Sequence, residues 1–105
     1  MEFENKTLNI EQTVTNGVLV CKLTGWLDPN TTPKLEEEIN LAGVNELVFD
    51  MQNVEYVFSA GLRAFLYFEK MMKASGGTMK LINVSDFIKS IFEMVGFQEI
   101  IENTK

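Results

Sequence analysis

The sequence contains no histidine. The commonest general base and the commonest metal ligand are therefore missing, and a serine–histidine–aspartate arrangement is excluded outright. The single cysteine, Cys21, cannot form an intrachain disulfide, and without histidine no thiolate or imidazole metal site can be assembled around it. It sits among Val18, Leu19, Val20 and Leu23, so it reads as a small buried strand residue, a state that suits a reducing cytosol. Positive charge is scarce: 9 basic residues face 15 acidic ones, for a net charge of −6. Such a domain repels phosphate backbones and anionic lipid heads, which argues against nucleic acid and membrane partners and favours a basic protein surface. No apolar run approaches ~18 residues, and the opening MEFENKTLNI lacks the charged and apolar regions of a signal peptide. A cytoplasmic location is expected. No DxDxDG-like run offers an oxygen-only cation site. Gly76-Gly77 follows a helical pattern and does not open one, so it is a stop and not a phosphate loop. Neither catalytic residue, metal site nor cofactor is expected.

What is present is enough apolar surface for one core. The 105 residues are 46% hydrophobic, which predicts one domain over residues 1–105. Leu8 to Val14 alternates as a half-buried strand, and Asn16-Gly17 marks a hairpin turn. Val18 to Thr24 is the second strand, with Gly25-Trp26-Leu27-Asp28-Pro29 turning away from it. Thr31 or Thr32 caps a helix with Pro33 in its first position. That helix runs to about Leu41, with Leu35, Ile39 and Ala42 inward and Gly43 as its stop. Glu46 to Met51 is a buried, parallel-type strand, and Gln52 to Phe58 reads as a loop. A long helix over Ala60 to Lys73 places Leu62, Phe65, Leu66 and Met72 on one side and stops at Ser75-Gly76-Gly77. Thr78 to Val84 is a strand. Ser85 caps a third helix, Asp86 to Val95, closed by Gly96, and Phe97 to Ile101 is an apolar tail expected to dock. The order β-β-α-β-α-β-α predicts an α/β fold with a mixed, mainly parallel sheet of four to five strands, helices packed against it and an opening β-hairpin.

One segment does not reduce to packing: NVEYVFSAGLRAFL, residues 53–66. Ser59 stands immediately before a helix. As an ordinary N-cap it accepts a hydrogen bond from a first-turn amide. Alternatively, its place at the positive end of the helix dipole lets it carry a phosphoryl group without melting the helix. Gly61 is not explained by capping, because glycine costs about 0.8–1 kcal/mol against alanine within a helix. Its presence predicts close approach by another backbone or a ligand.

Three stretches resemble the STAS domain family, the bacterial anti-sigma factor antagonists. Gly25-Trp26-Leu27-Asp28 resembles the family's G-x-L-D after the second strand. Glu46-Leu47-Val48-Phe49-Asp50 resembles its buried strand ending in Asp. Tyr56-Val57-Phe58-Ser59-Ala60-Gly61-Leu62-Arg63 resembles its S-x-G-L loop and helix start. Lys80 to Ser85 and Val95-Gly96-Phe97 are similar to its closing strand and helix. The resemblance implies partner switching. The unphosphorylated domain binds an anti-sigma factor that is also a serine kinase; phosphorylation of a serine or threonine before the second helix breaks the complex; a phosphatase restores it. By position the acceptor is Ser59. Two residues depart from the pattern: Phe58 stands where many phosphorylated members have Asp, and Ala60 where they have a second hydroxyl.

Asp28 and Asp50 serve the switch region, as the resemblance implies, or merely cap local turns. Arg63, Tyr67 and Lys70 share a stripe of the second helix that is either a docking edge or a solvated face. Phe68 and Met71 are hard to place inside and, with Phe58, form a candidate exposed apolar patch. The candidate partner-binding residues are thus Asp28, Asp50, Phe58, Ala60, Gly61, Leu62, Arg63 and Tyr67. The alternative is a constitutive adaptor of the same fold, held in a transporter complex or signalling scaffold without a phospho-switch.

Overall fold

A computed structural model describes residues 7–97. Four strands form one sheet in the order β1-β2-β3-β4, where β1 is Leu8–Thr15, β2 Val18–Leu27, β3 Glu46–Val57 and β4 Thr78–Ile82. The β1–β2 pair is antiparallel, and β2–β3 and β3–β4 are parallel. The hairpin turns where expected: Asn16 and Gly17 both take positive φ, 51° and 81°, the geometry that fits the strand twist. Three helices complete the fold: α1 Thr32–Glu38, α2 Ser59–Ala74 and α3 Asp86–Met94. A mixed, mainly parallel sheet opened by a hairpin is the architecture expected, with four strands among the described residues.

Alternation on β2 sends Leu19, Cys21, Leu23 and Leu27 inward. They meet Leu47, Phe49 and Met51 of β3 and the buried sides of the helices in one continuous core. Phe65 of α2 lies at its centre, 5.0 Å from Phe49 and 6.0 Å from Phe92 of α3 between ring centroids. Burying each of these side chains contributes about 1.5–3 kcal/mol. The Cys21 thiol is fully buried, and desolvation pushes its pKa up to about 12.

Several boundaries differ from those read in the sequence. β2 does not stop at Thr24 but continues through Gly25 and Trp26 to Leu27, and residues 52–57 extend β3 beside it. The reason is two bulges. Lys22 pairs with Asp50 but Thr24 with Asn53, and Gly25 pairs with Val54 but Trp26 with Tyr56, so β3 takes an extra residue at each step. Each insertion breaks the period-2 pattern locally. Helix α1 ends at Glu38; Ile39 is extended, Ala42 is exposed, and Gly43 turns the loop and not the helix. Pro33 follows Thr32 in the first turn, with Thr31 as the N-cap residue. β4 ends at Ile82 because Asn83 takes φ 56°. Leu66 is only partly buried, while Phe68, doubted as a core residue, is buried at 2% exposure against Phe49. Ser85 caps α3 as expected, accepting from the Ile88 amide at 3.1 Å. Phe97 packs on the core; the rest of the predicted tail lies outside the described residues.

Candidate partner-binding site

Strands β2, β3 and β4 are parallel, so their carboxyl ends share one edge of the sheet. Three connections and the starts of three helices gather there: residues 28–31, 58 and 83–85. In open α/β sheets this edge is where loops are free to meet a ligand while the strands hold them rigid.

The β2–α1 turn is built on Asp28. Its Oδ1 accepts from the amides of Asn30 at 2.8 Å and Thr31 at 2.9 Å. The Asp28 amide donates to Thr31 Oγ1 at 3.0 Å, and that hydroxyl donates to the Trp26 carbonyl at 2.6 Å. Asp28 therefore holds the turn, whatever else it contacts. Asp50 plays a similar local part: its Oδ1 accepts from the Gln52 amide at 3.1 Å and from Asn83 Nδ2 at 3.0 Å. It ties the first bulge of β3 to the left-handed residue that ends β4.

Ser59 is not the N-cap of α2. That position belongs to Phe58, whose extended backbone donates its amide to the Leu27 carbonyl at 2.8 Å and whose carbonyl accepts from Leu62 at 3.1 Å. Ser59 is the first helical residue, exposed, and no side chain caps the helix. The capping role expected for the serine is absent, and its hydroxyl is left at the surface. Gly61 is explained, but by the protein's own packing. A Cβ there would stand 2.8 Å from Leu27 Cβ and 2.9 Å from Val57 Cγ1, so glycine lets α2 settle onto the ends of β2 and β3. Gly61 and Leu62 are both buried and act on the surface only through the backbone they position.

On the α1 side, Arg63 and Tyr67 join Ala60 and Ala64 to form one wall of an open cleft of about 450 Å³; Pro29, Thr32, Pro33 and Glu36 form the other. Arg63, Tyr67 and Lys70 are all exposed, which makes their stripe a surface of α2. On the other side lies a group of rings that the sequence reading missed. Trp26 and Tyr56 are register partners on the outward parity, with centroids 5.7 Å apart and planes within 20°. Phe58 lies 4.6 Å from Tyr56 and 6.1 Å from Trp26. Phe87, in the first turn of α3, lies 5.6 Å from Tyr56. Phe58 and Phe87 are 41% and 55% exposed. Of the expected patch of Phe58, Phe68 and Met71, Phe58 and Met71 are exposed as expected, but Phe68 is internal, and Phe58 groups with rings from β2, β3 and α3. The register of Trp26 with Tyr56, visible only with the bulges counted, was the missing signal.

The STAS domain family profile matches residues 9–105. The chain belongs to the STAS domain family. An anti-sigma-B factor antagonist of Staphylococcus aureus is 31% identical over 96 residues, covering 89% of each chain. The anti-sigma factor antagonist SpoIIAA in its unphosphorylated form superposes with a TM-score of 0.77 at 20% identity, covering 93% of this chain and 85% of that one. The Bacillus cell fate determinant SpoIIAA in its phosphorylated form gives 0.71 at 20% identity, over 93% and 88%. The STAS fold seen here is therefore shared with these antagonists. Among the described residues no helix is long and apolar enough to cross a membrane, and no three His, Cys, Asp or Glu side chains group as a metal site.

Proposed function

We propose that this STAS domain is an anti-sigma factor antagonist, that it docks an anti-sigma factor with serine kinase activity on the carboxyl edge of its sheet, and that phosphorylation of Ser59 ends the complex. The observation that carries the reading is the placement of Ser59. Its hydroxyl is exposed at the first position of a 16-residue helix and caps nothing, so a kinase can reach it without dismantling the fold. A phosphoryl group adds about −1.5 to −2 charges. The helix dipole tolerates that charge, so its effect falls on the partner's side of the contact. Phe58, Ala60, Arg63 and Tyr67 flank the serine and form the contact surface, with Asp28 and Asp50 shaping the loops behind it. The named relatives support the antagonist role.

The test uses the cognate kinase with ATP. One phosphate should be added to the wild type and none to Ser59→Ala, with Ser59→Ala still binding the unphosphorylated partner. Ser59→Asp should weaken binding at least tenfold. Phosphate on another residue, or an undiminished complex with Ser59→Asp, removes the switch and leaves the constitutive adaptor. A phosphatase that restores binding would complete the cycle.

A further inference from the structure

We propose that Tyr56, Phe58 and Phe87, backed by Trp26, form a receptor for a cationic side chain, an arginine or lysine presented by the protein partner. The inference deepens the docking reading above and rests on it for the identity of the partner, though not for the chemistry of the receptor. Tyr56 is the hub, with Phe58, Phe87 and Trp26 at 4.6, 5.6 and 5.7 Å. The rings come from β2, β3, α3 and the N-cap of α2, so the strand register and the docking of the helices set their spacing in advance. Tyr56 is tilted 49° from Phe58 and 56° from Phe87, so it stacks flat on neither of the exposed rings. Ring faces attract a cation placed within about 6 Å of their centroids.

Charge decides the occupant. Glu55 directly precedes Tyr56, and Asp86 directly precedes Phe87. Both are exposed, and neither has an ion-pair partner among the described residues. Lys22 shares the outward parity of Trp26 but lies four residues back along β2, about 13 Å away; two other nearby cations are turned elsewhere. Arg63 lines the α1–α2 cleft, and Lys89 is two residues past Phe87, about 200° around the helix. An aromatic surface with exposed carboxylates one residue away along the chain, at Glu55 and Asp86, on a protein of net charge −6, disfavours an acidic segment and favours a guanidinium.

The experiment needs no partner. Argininamide and citrullinamide, both acetylated at the α-amine so that only the side-chain charge differs (a guanidinium against an uncharged ureido group), are titrated separately into the full chain while the aromatic ring resonances are followed. Fluorescence of Trp26, the single tryptophan, is read in parallel. Argininamide should give saturable shifts confined to Tyr56, Phe58 and Phe87, and citrullinamide should give shifts at least fivefold weaker. Phe58→Leu keeps apolar bulk but removes the π face, and should abolish the argininamide response. Equal responses to the two amides, no saturable response, or an unchanged response in Phe58→Leu would overturn the receptor. The Ser59 phosphorylation assay reads the switch separately. A saturable argininamide response with no phosphorylation keeps the receptor and discards the switch.

Discussion

Gly61→Ala tests how closely helix α2 is fitted to the sheet. On helix propensity alone the change should stabilise, since alanine is favoured over glycine by about 1 kcal/mol inside a helix. The surroundings oppose it. The new methyl would stand 2.8 Å from Leu27 Cβ and 2.9 Å from Val57 Cγ1, where carbon atoms prefer about 3.5–4.0 Å. Neither atom is the free end of a flexible chain: one is a Cβ bonded to the backbone, the other a methyl on a stiff β-branched side chain. The start of α2 must therefore move by roughly 0.7 Å, and such overpacking costs about 1–3 kcal/mol. The net expectation is a loss of about 1 kcal/mol. With a urea m-value of ~1 kcal/mol per molar, the midpoint of unfolding falls by roughly 1 M at unchanged m. In the Val57→Ala background Cγ1 is gone, so the same substitution should be less harmful by at least ~0.5 kcal/mol, as contacting residues couple. A midpoint that rises in Gly61→Ala, or additive effects in the double variant, would refute the steric account.

Four further outcomes follow from the geometry. Ser85→Ala should lower stability by about 1 kcal/mol through loss of the cap to Ile88, whereas Ser59→Ala, whose hydroxyl caps nothing, should leave the thermal midpoint within about 1 °C; both are read by calorimetry. Asp28→Ala strands the amides of Asn30 and Thr31 and should cost about 1–3 kcal/mol in urea titrations, with Asp28→Asn, which retains an acceptor oxygen, recovering most of it. Cys21 should react with a thiol reagent only after unfolding; fast labelling of the native protein would contradict its burial. Its raised pKa also has a sign. The folded thiol keeps its proton to about pH 12, while in the unfolded chain it ionises near 9.0. The contribution is complete below pH 9.0 and is lost as pH rises towards 12, by about 1.4 kcal/mol per unit. Cys21→Ala measured alongside should lack this slope.

The regular parts of the molecule were legible because their patterns repeat. The apolar runs Val18 to Thr24 and Glu46 to Met51, the Asn16-Gly17 turn and the Ser85 cap all act within a few residues; the turn and the cap fall at the expected residues, and the two runs form strands that extend further, to Leu27 and Val57. Irregularity hid the rest. The bulges at residues 50–53 and 54–56 make the upper half of β3 look like a loop, because an inserted residue reverses which face the following side chains take. The candidate site suffered from the same break. Ser59 and the stripe of Arg63 and Tyr67 were found as surface residues, but Trp26, Tyr56 and Phe87 were not seen to join Phe58.

The sequence by itself determined the order of elements, the apolar faces and the exclusion of histidine- and disulfide-dependent chemistry, since these follow from residue identity and short-range period. It also marked Ser59 and Gly61 as unusual. Tertiary structure alone decided why. The extended backbone of Phe58 took the N-cap position, because its amide is bound to the Leu27 carbonyl across the sheet, and so left Ser59 uncommitted at the surface. Leu27 and Val57, far apart in sequence but paired in register, left room only for glycine at Gly61. The same register placed Tyr56 against Trp26 and turned scattered aromatic residues into one surface. Such contacts depend on pairing between distant segments, which no local pattern encodes.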